Sequence, residues 1–91
     1  MRILHLTVKK KWYDMIAIGE KREEYREIKS YWEKRLSRKY DAVCFRNGYS
    51  PDAPTMIVEL KSIHKGIGIT KWGAPKNKVF VLKLGKILSK T

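Results

Sequence analysis

The chain has 91 residues, enough for one small domain, and 43% of them are hydrophobic, which excludes a wholly disordered polymer. Its formal net charge is +12, and the excess is uneven: residues 60–91 carry eight lysines and no acid. A field of this size favours polyanions, RNA or DNA before an acidic membrane surface; the plainer reading is a lysine-rich proteome that charges every surface.

The first segment, Arg2 to Val8, alternates loosely through Leu4, Leu6 and Val8 and reads as a strand. It is too short and too polar for a signal peptide, and no stretch reaches the roughly 18 apolar residues of a membrane span. Trp12, Met15, Ile16 and Gly19 follow at helical spacing, so Lys10 to Ile18 reads as a short amphipathic helix, ended by Gly19.

The stretch GEKREEYREIKSYW, Gly19 to Trp32, admits two readings. Tyr25, Ile28, Trp32 and Leu36 would line one helix from Glu20 to Arg38, and Glu, Lys and Arg are good helix formers. Against this, Ser30-Tyr31-Trp32-Glu33 is a capping box that starts a helix at Ser30. That start frees Lys21 to Glu27 to be a strand, with a helix from about Tyr31 to Arg38.

Asp41 to Arg46 is a short apolar strand. Within it Cys44, the single cysteine, reads as a small buried hydrophobe, and the lack of any disulfide partner fits a reducing cytoplasm. Asn47-Gly48 is a turn, and Tyr49 to Pro54 is a loop stiffened by two prolines. Thr55 to Ile63 is the clearest strand, with Met56, Val58 and Leu60 on one side. Gly66, Gly68, Gly73 and Pro75 mark a loop around Trp72, and Val79 to Leu84 is the last strand. The order is β-α-β-α-β-β-β. This is an α+β fold, one domain over residues 1–91, with short strands that curl into a small β-barrel and two helices near its mouth.

If Lys21 to Glu27 is extended, Arg22, Glu24 and Arg26 share one face and Tyr25 the other. A carboxylate between two guanidiniums leaves spare arginine donors for a phosphate or carboxylate. The plainer reading is a surface salt-bridge ladder, worth about 0–1 kcal/mol per pair. Phe45-Arg46-Asn47-Gly48-Tyr49 offers an arginine, an amide and an aromatic beside a turn, a set suited to an unpaired base or to covering a core. Trp72 is either a stacking platform or a loop anchor, and Trp12 and Trp32 sit on apolar helix faces. His5 and His64 read as structural, and with one cysteine they form no ligand set, so neither metal nor cofactor is expected.

Gly19-x-Lys21-x-x-Glu24-x-Arg26 resembles the GxKxxExR signature of the ASCH domain family, a branch of the PUA-like superfamily. The opening ILHLTVKKKWYDMIAIGEKREEYREIKSYW and the later FRNGYSPDAP are similar to a small bacterial and phage subgroup of it. The resemblance covers nearly the whole chain. It implies a PUA-like barrel and a cleft between barrel and helices, suited to single-stranded RNA or a nucleoside- or nucleotide-like ligand. Carried over, Lys21, Glu24 and Arg26 line that cleft, with Arg22 and the Arg46, Asn47 and Tyr49 turn beside it.

Three functions follow from the resemblance and the charge together. The first is an RNA-binding module. The second is an enzyme using Lys21 and Glu24, either a ribonuclease or an N4-acetylcytidine amidohydrolase. The amidohydrolase branch uses a lysine, a threonine and a glutamate. Lys21 matches the lysine, Glu24 stands at the threonine position, and no acid follows Glu59 to match the glutamate. The third is a regulatory module that binds a protein partner.

Overall fold

The computed structural model describes Met1–Thr91. Its elements follow the order read from the sequence: β1 (Ile3–Val8), α1 (Lys10–Ala17), β2 (Glu23–Arg26), α2 (Ser30–Arg35), β3 (Ala42–Asn47), β4 (Thr55–Gly66) and β5 (Val79–Lys90), with a 3-10 turn at Thr70–Trp72 before β5. The five strands form one sheet in the order β1-β3-β4-β5-β2, parallel at β1/β3 and antiparallel elsewhere.

The sheet curls into a half-barrel, because β4 and β5 are long and their pairing is broken by register shifts between Ile57 and Ser62. Such bulges bend and twist the strand that carries them. Full closure does not occur: β1 and β2 end the strand order and share no backbone ladder. The barrel expected from the sequence is therefore open along one seam.

Alternation sets the core. Leu4, Leu6 and Val8 of β1, Val43 and Phe45 of β3, Met56, Val58 and Leu60 of β4, and Phe80, Leu82 and Leu84 of β5 are buried together, closed by Tyr13 and Ile16 of α1 and by Leu36. Trp12 and Trp32 pack against this core only partly buried. A second, smaller apolar layer lies on the other side of β5, where Val79, Val81 and Ala74 are buried outside the main cluster. Gly68 belongs to it: a Cβ there would overlap the Tyr25 ring and Ala74.

Several boundaries differ from the sequence reading, each for a local reason. The capping box is not formed. Lys29, not Ser30, is the N-cap of α2, and no side chain caps it. That helix ends at Arg35, and Leu36 turns into the core. β5 runs six residues beyond Leu84, because a strand continues through a bulge that hides its alternation. Cys44 is half-buried, and His5 and His64 are exposed, so neither histidine is enclosed as a structural residue would be.

Candidate functional site

The turn after α1 delivers the first site residue. Gly19 takes a left-handed φ of 81°, which glycine adopts without steric cost, and the amides of Glu20 and Lys21 both donate to the Met15 carbonyl at 3.0 Å. The chain reverses there and sends Lys21 inward as β2 begins.

Lys21 is 2% exposed, although it carries an ammonium. Its Nζ donates to the Glu23 carbonyl and to the Trp72 carbonyl at 2.7 Å, and forms an ion pair with Glu24 Oε1 at 3.3 Å. Its Nζ also lies 4.7 Å from the Tyr25 ring centre and 5.4 Å from that of Trp12. Burial pushes its pKa below the ordinary lysine value, against the pull of Glu24.

Glu24 joins the lysine to the arginine. Its Oε2 accepts from Arg26 Nη2 at 2.6 Å, and its side chain is only 9% exposed. Arg26 Nη2 also donates to the Thr7 carbonyl of β1 at 3.3 Å, and its guanidinium stands 5.0 Å from the Trp32 ring centre. The Arg26 Nε is buried without a partner.

The same edge of β1 is met by a second arginine. Arg35 Nη2 donates to the His5 carbonyl at 2.6 Å and Nη1 donates to the Tyr31 hydroxyl at 3.3 Å. Its guanidinium lies 5.4 Å from the Trp32 ring centre. Two carbonyls that a neighbouring strand would have used are thus met by arginines flanking one tryptophan. Sequence reasoning missed Arg35, Tyr31 and Trp32 as site residues. The available signal was their helical spacing, which puts Tyr31 and Arg35 on one face.

The remaining sequence candidates divide. Arg46 is the register partner of Thr7, so it lies one strand away from Arg26's anchor, and its Nη2 donates to the Ser50 carbonyl. Asn47 pairs with Val8 and is half-buried, and Tyr49 is 89% exposed, so it covers no core. Trp72 contributes its carbonyl to Lys21, while its half-buried ring has an Nε1 with no partner. Gly73 fits that loop against Trp12, since a Cβ there would stand 2.9 Å from the indole. Arg22 is not joined to Glu24 or Arg26. It precedes β2, is exposed, and lies about 13 Å of extended chain from Arg26, at the other end of the strand.

Chemically, the cluster is a chain of linked charges with one outlet. Lys21 and Glu24 are spent on each other and on the backbone. Arg26 keeps an unpaired Nε and a free Nη1 beside an aromatic ring. No group of three or more His, Cys, Asp or Glu side chains converges as a metal site, and no helix is long and apolar enough to cross a membrane. The chain matches no family model, no curated protein and no solved structure.

Proposed function

We propose that this chain is a single-stranded-RNA-binding module of the ASCH, PUA-like type, acting in the cytoplasm. The observation that carries the reading is the convergence of Lys21, Glu24 and Arg26, three residues of the GxKxxExR pattern, on one hydrogen-bonded chain at the β1–β2 seam. That chain fixes the Arg26 fork beside Trp32 and leaves its Nη1 without a protein partner. A fixed guanidinium suits a phosphate or a base edge, and exposed Tyr31 and Tyr49 suit stacking on unpaired bases. The acid-free lysines of residues 60–91 supply sequence-independent phosphate contacts.

A ribonuclease reading draws on the lowered pKa of Lys21. The geometry favours binding, because Lys21 already donates to two carbonyls and pairs with Glu24, whose other oxygen holds Arg26. Fluorescence anisotropy with a labelled oligoribonucleotide tests the binding reading. Affinity is expected to fall steeply between about 50 mM and about 200 mM salt, and to drop in Arg26→Ala. Salt-independent binding, or full binding by Arg26→Ala, refutes it, and loss of intact RNA during the measurement would return the enzyme reading.

A further inference from the structure

A second cavity, of about 500 Å³, lies at the opposite end of β2 from Arg26. Its floor is core: Ile16 of α1, Val58 of β4 and Leu84 of β5. Its rim carries three cations, Arg22, Lys61 and Lys86, and one carboxylate, Glu59; the buried Lys21 also lines it, with its charge paired to Glu24.

The bulges of β4 and β5 build this rim. Between the pairs Val58–Ile87 and Leu60–Leu84 the ladder opens, leaving Glu59 opposite Gly85 and Lys86. Glu59 Oε1 accepts the Lys86 backbone N–H at 3.2 Å, in place of a strand carbonyl. Gly85 makes room for this, since a Cβ there would overlap the Glu59 carboxylate and stand 3.1 Å from Lys61 Cε.

The charges at this rim do not satisfy one another. None of Arg22, Lys61 and Lys86 has a carboxylate within 4.0 Å, and Glu59 has no cation within that distance. Glu59 Oε2 makes no hydrogen bond. Three free cations and one free acceptor share a cavity with an apolar floor. Its volume falls in the roughly 300–1,000 Å³ range of small-molecule sites.

We propose that this cavity binds a 5′-phosphorylated nucleotide. The rim's net charge of two positive units matches a phosphate monoester, which carries about −1.5 to −2 at pH 7. Arg22, Lys61 and Lys86 hold the phosphate, the apolar floor takes a face of the base, and Glu59 Oε2 accepts from a base N–H. Guanine, with adjacent N1–H and N2–H donors, can meet Oε2 and the second lone pair of Oε1 together, whereas uracil offers a single N3–H. The source is either a free mononucleotide or the phosphorylated 5′ end of an RNA. The site touches the seam cluster only through Lys21, whose ammonium is held by Glu24 and two carbonyls, and it does not rest on RNA binding at Arg26.

Amide-resolved NMR titration of the full chain with 5′-GMP tests this, with 5′-UMP, guanosine and inorganic phosphate as parallel probes. Saturable shifts are expected at Arg22, Glu59 to Lys61 and Gly85 to Ile87. Guanosine and phosphate alone bind more weakly than 5′-GMP. Lys61→Ala/Lys86→Ala, two exposed positions, lowers 5′-GMP affinity at least about tenfold. Glu59→Gln, which retains an acceptor for Lys86, removes the preference for 5′-GMP over 5′-UMP. A 5′-phosphorylated oligoribonucleotide that outcompetes 5′-GMP, while its 5′-hydroxyl twin does not, assigns the site to RNA ends; the reverse assigns it to free nucleotides. Absence of saturable shifts, shifts confined to Arg26 and Trp32, or guanosine binding as tightly as 5′-GMP overturns the proposal. RNA binding at the seam succeeds or fails independently, by the Arg26→Ala measurement.

Discussion

The Arg26 guanidinium of β2 donates to the Thr7 carbonyl of β1 at 3.3 Å, across the seam between the two edge strands of the curled sheet. An edge strand exposes unpaired backbone groups, and a small sheet gains by covering them. Here the cover is made of side chains, Arg26 on Thr7 and Arg35 on His5. Removing Arg26 strips the seam and leaves Glu24, 9% exposed, with Lys21 alone. Arg26→Ala is expected to cost about 3 kcal/mol in urea denaturation, the lower end for breaking a buried pair, since Arg26 is partly exposed. Arg26→Lys should fall between, because an ammonium keeps the charge but cannot reproduce the fork. An unchanged urea midpoint in Arg26→Ala would show that the seam is held elsewhere.

Lys21 and Glu24 should behave as one unit. Lys21→Met leaves two carbonyls without their donor and Glu24 Oε1 without its cation, and is expected to cost about 3–5 kcal/mol. Glu24→Gln alone leaves a buried ammonium facing a neutral amide. The double variant removes both mismatched charges, so its loss should be smaller than the sum of the singles by about 0.5–3 kcal/mol. Additive losses in the cycle would mean that the two side chains do not share an interaction.

Alkaline pH separates the same cluster by titration. Burial raises the pKa of Tyr25, and likewise that of Tyr13, above the ordinary 10.0, while it lowers that of Lys21 from 10.5. As pH rises above 10.5 the unfolded chain gives up its tyrosine and lysine protons, whereas the folded chain still holds the Tyr25 proton. Stability therefore falls there as pH rises, by about 1.4 kcal/mol per pH unit for each retained tyrosine proton. Below that point Lys21 opposes the trend, because the unfolded lysine holds its proton where the folded one releases it. Tyr25→Phe loses hydrogen bonds to Glu23 and Ile69, costing about 1 kcal/mol at neutral pH. Its deficit should shrink as pH climbs through the tyrosine range. A deficit that stays constant with pH would mean that Tyr25 is not a retained proton.

Much of this arrangement is legible in the chain, though not always for the right reason. The capping box puts the break between β2 and α2 in the right place, yet it does not form, since Lys29 is the N-cap. Lys21, Glu24 and Arg26 can be grouped from sequence because strand alternation and one turn are local. Arg22 cannot be separated from them, because its place depends on where β2 begins. Glu59 and the Gly85–Lys86 pair are illegible as a group: Glu59 stands 26 residues before Gly85, and only a two-strand bulge brings them together. Closure of the barrel is overestimated for a related reason. No local pattern reports whether two edge strands meet.

The bulge gives its own stability test. Gly85→Ala places a methyl group against the Glu59 carboxylate and the Lys61 stem. It is expected to cost about 1–3 kcal/mol, as overpacking does. In a Glu59→Ala background the overlap with the carboxylate is gone and only the flexible Lys61 stem remains, so the same substitution should cost distinctly less. Equal penalties in both backgrounds would place the strain in the backbone instead.

Tyr49 and the lysines of residues 60–91 separate two components of RNA binding. Tyr49 is 89% exposed, so Tyr49→Ala should leave the urea midpoint unchanged. If its ring stacks on a base, affinity for a single-stranded oligoribonucleotide falls by about 1–3 kcal/mol, and the slope of log K against log salt does not change. Lys76→Ala/Lys78→Ala, two exposed positions beside the Trp72 loop, acts the other way. Each phosphate that a removed lysine had neutralised should flatten that slope by about 0.7. The two variants thus report on different terms, stacking on the affinity at fixed salt and charge on its salt dependence. A Tyr49→Ala protein with wild-type affinity would remove the turn after β3 from the interface, and an unchanged slope in the lysine variant would remove the Trp72 loop.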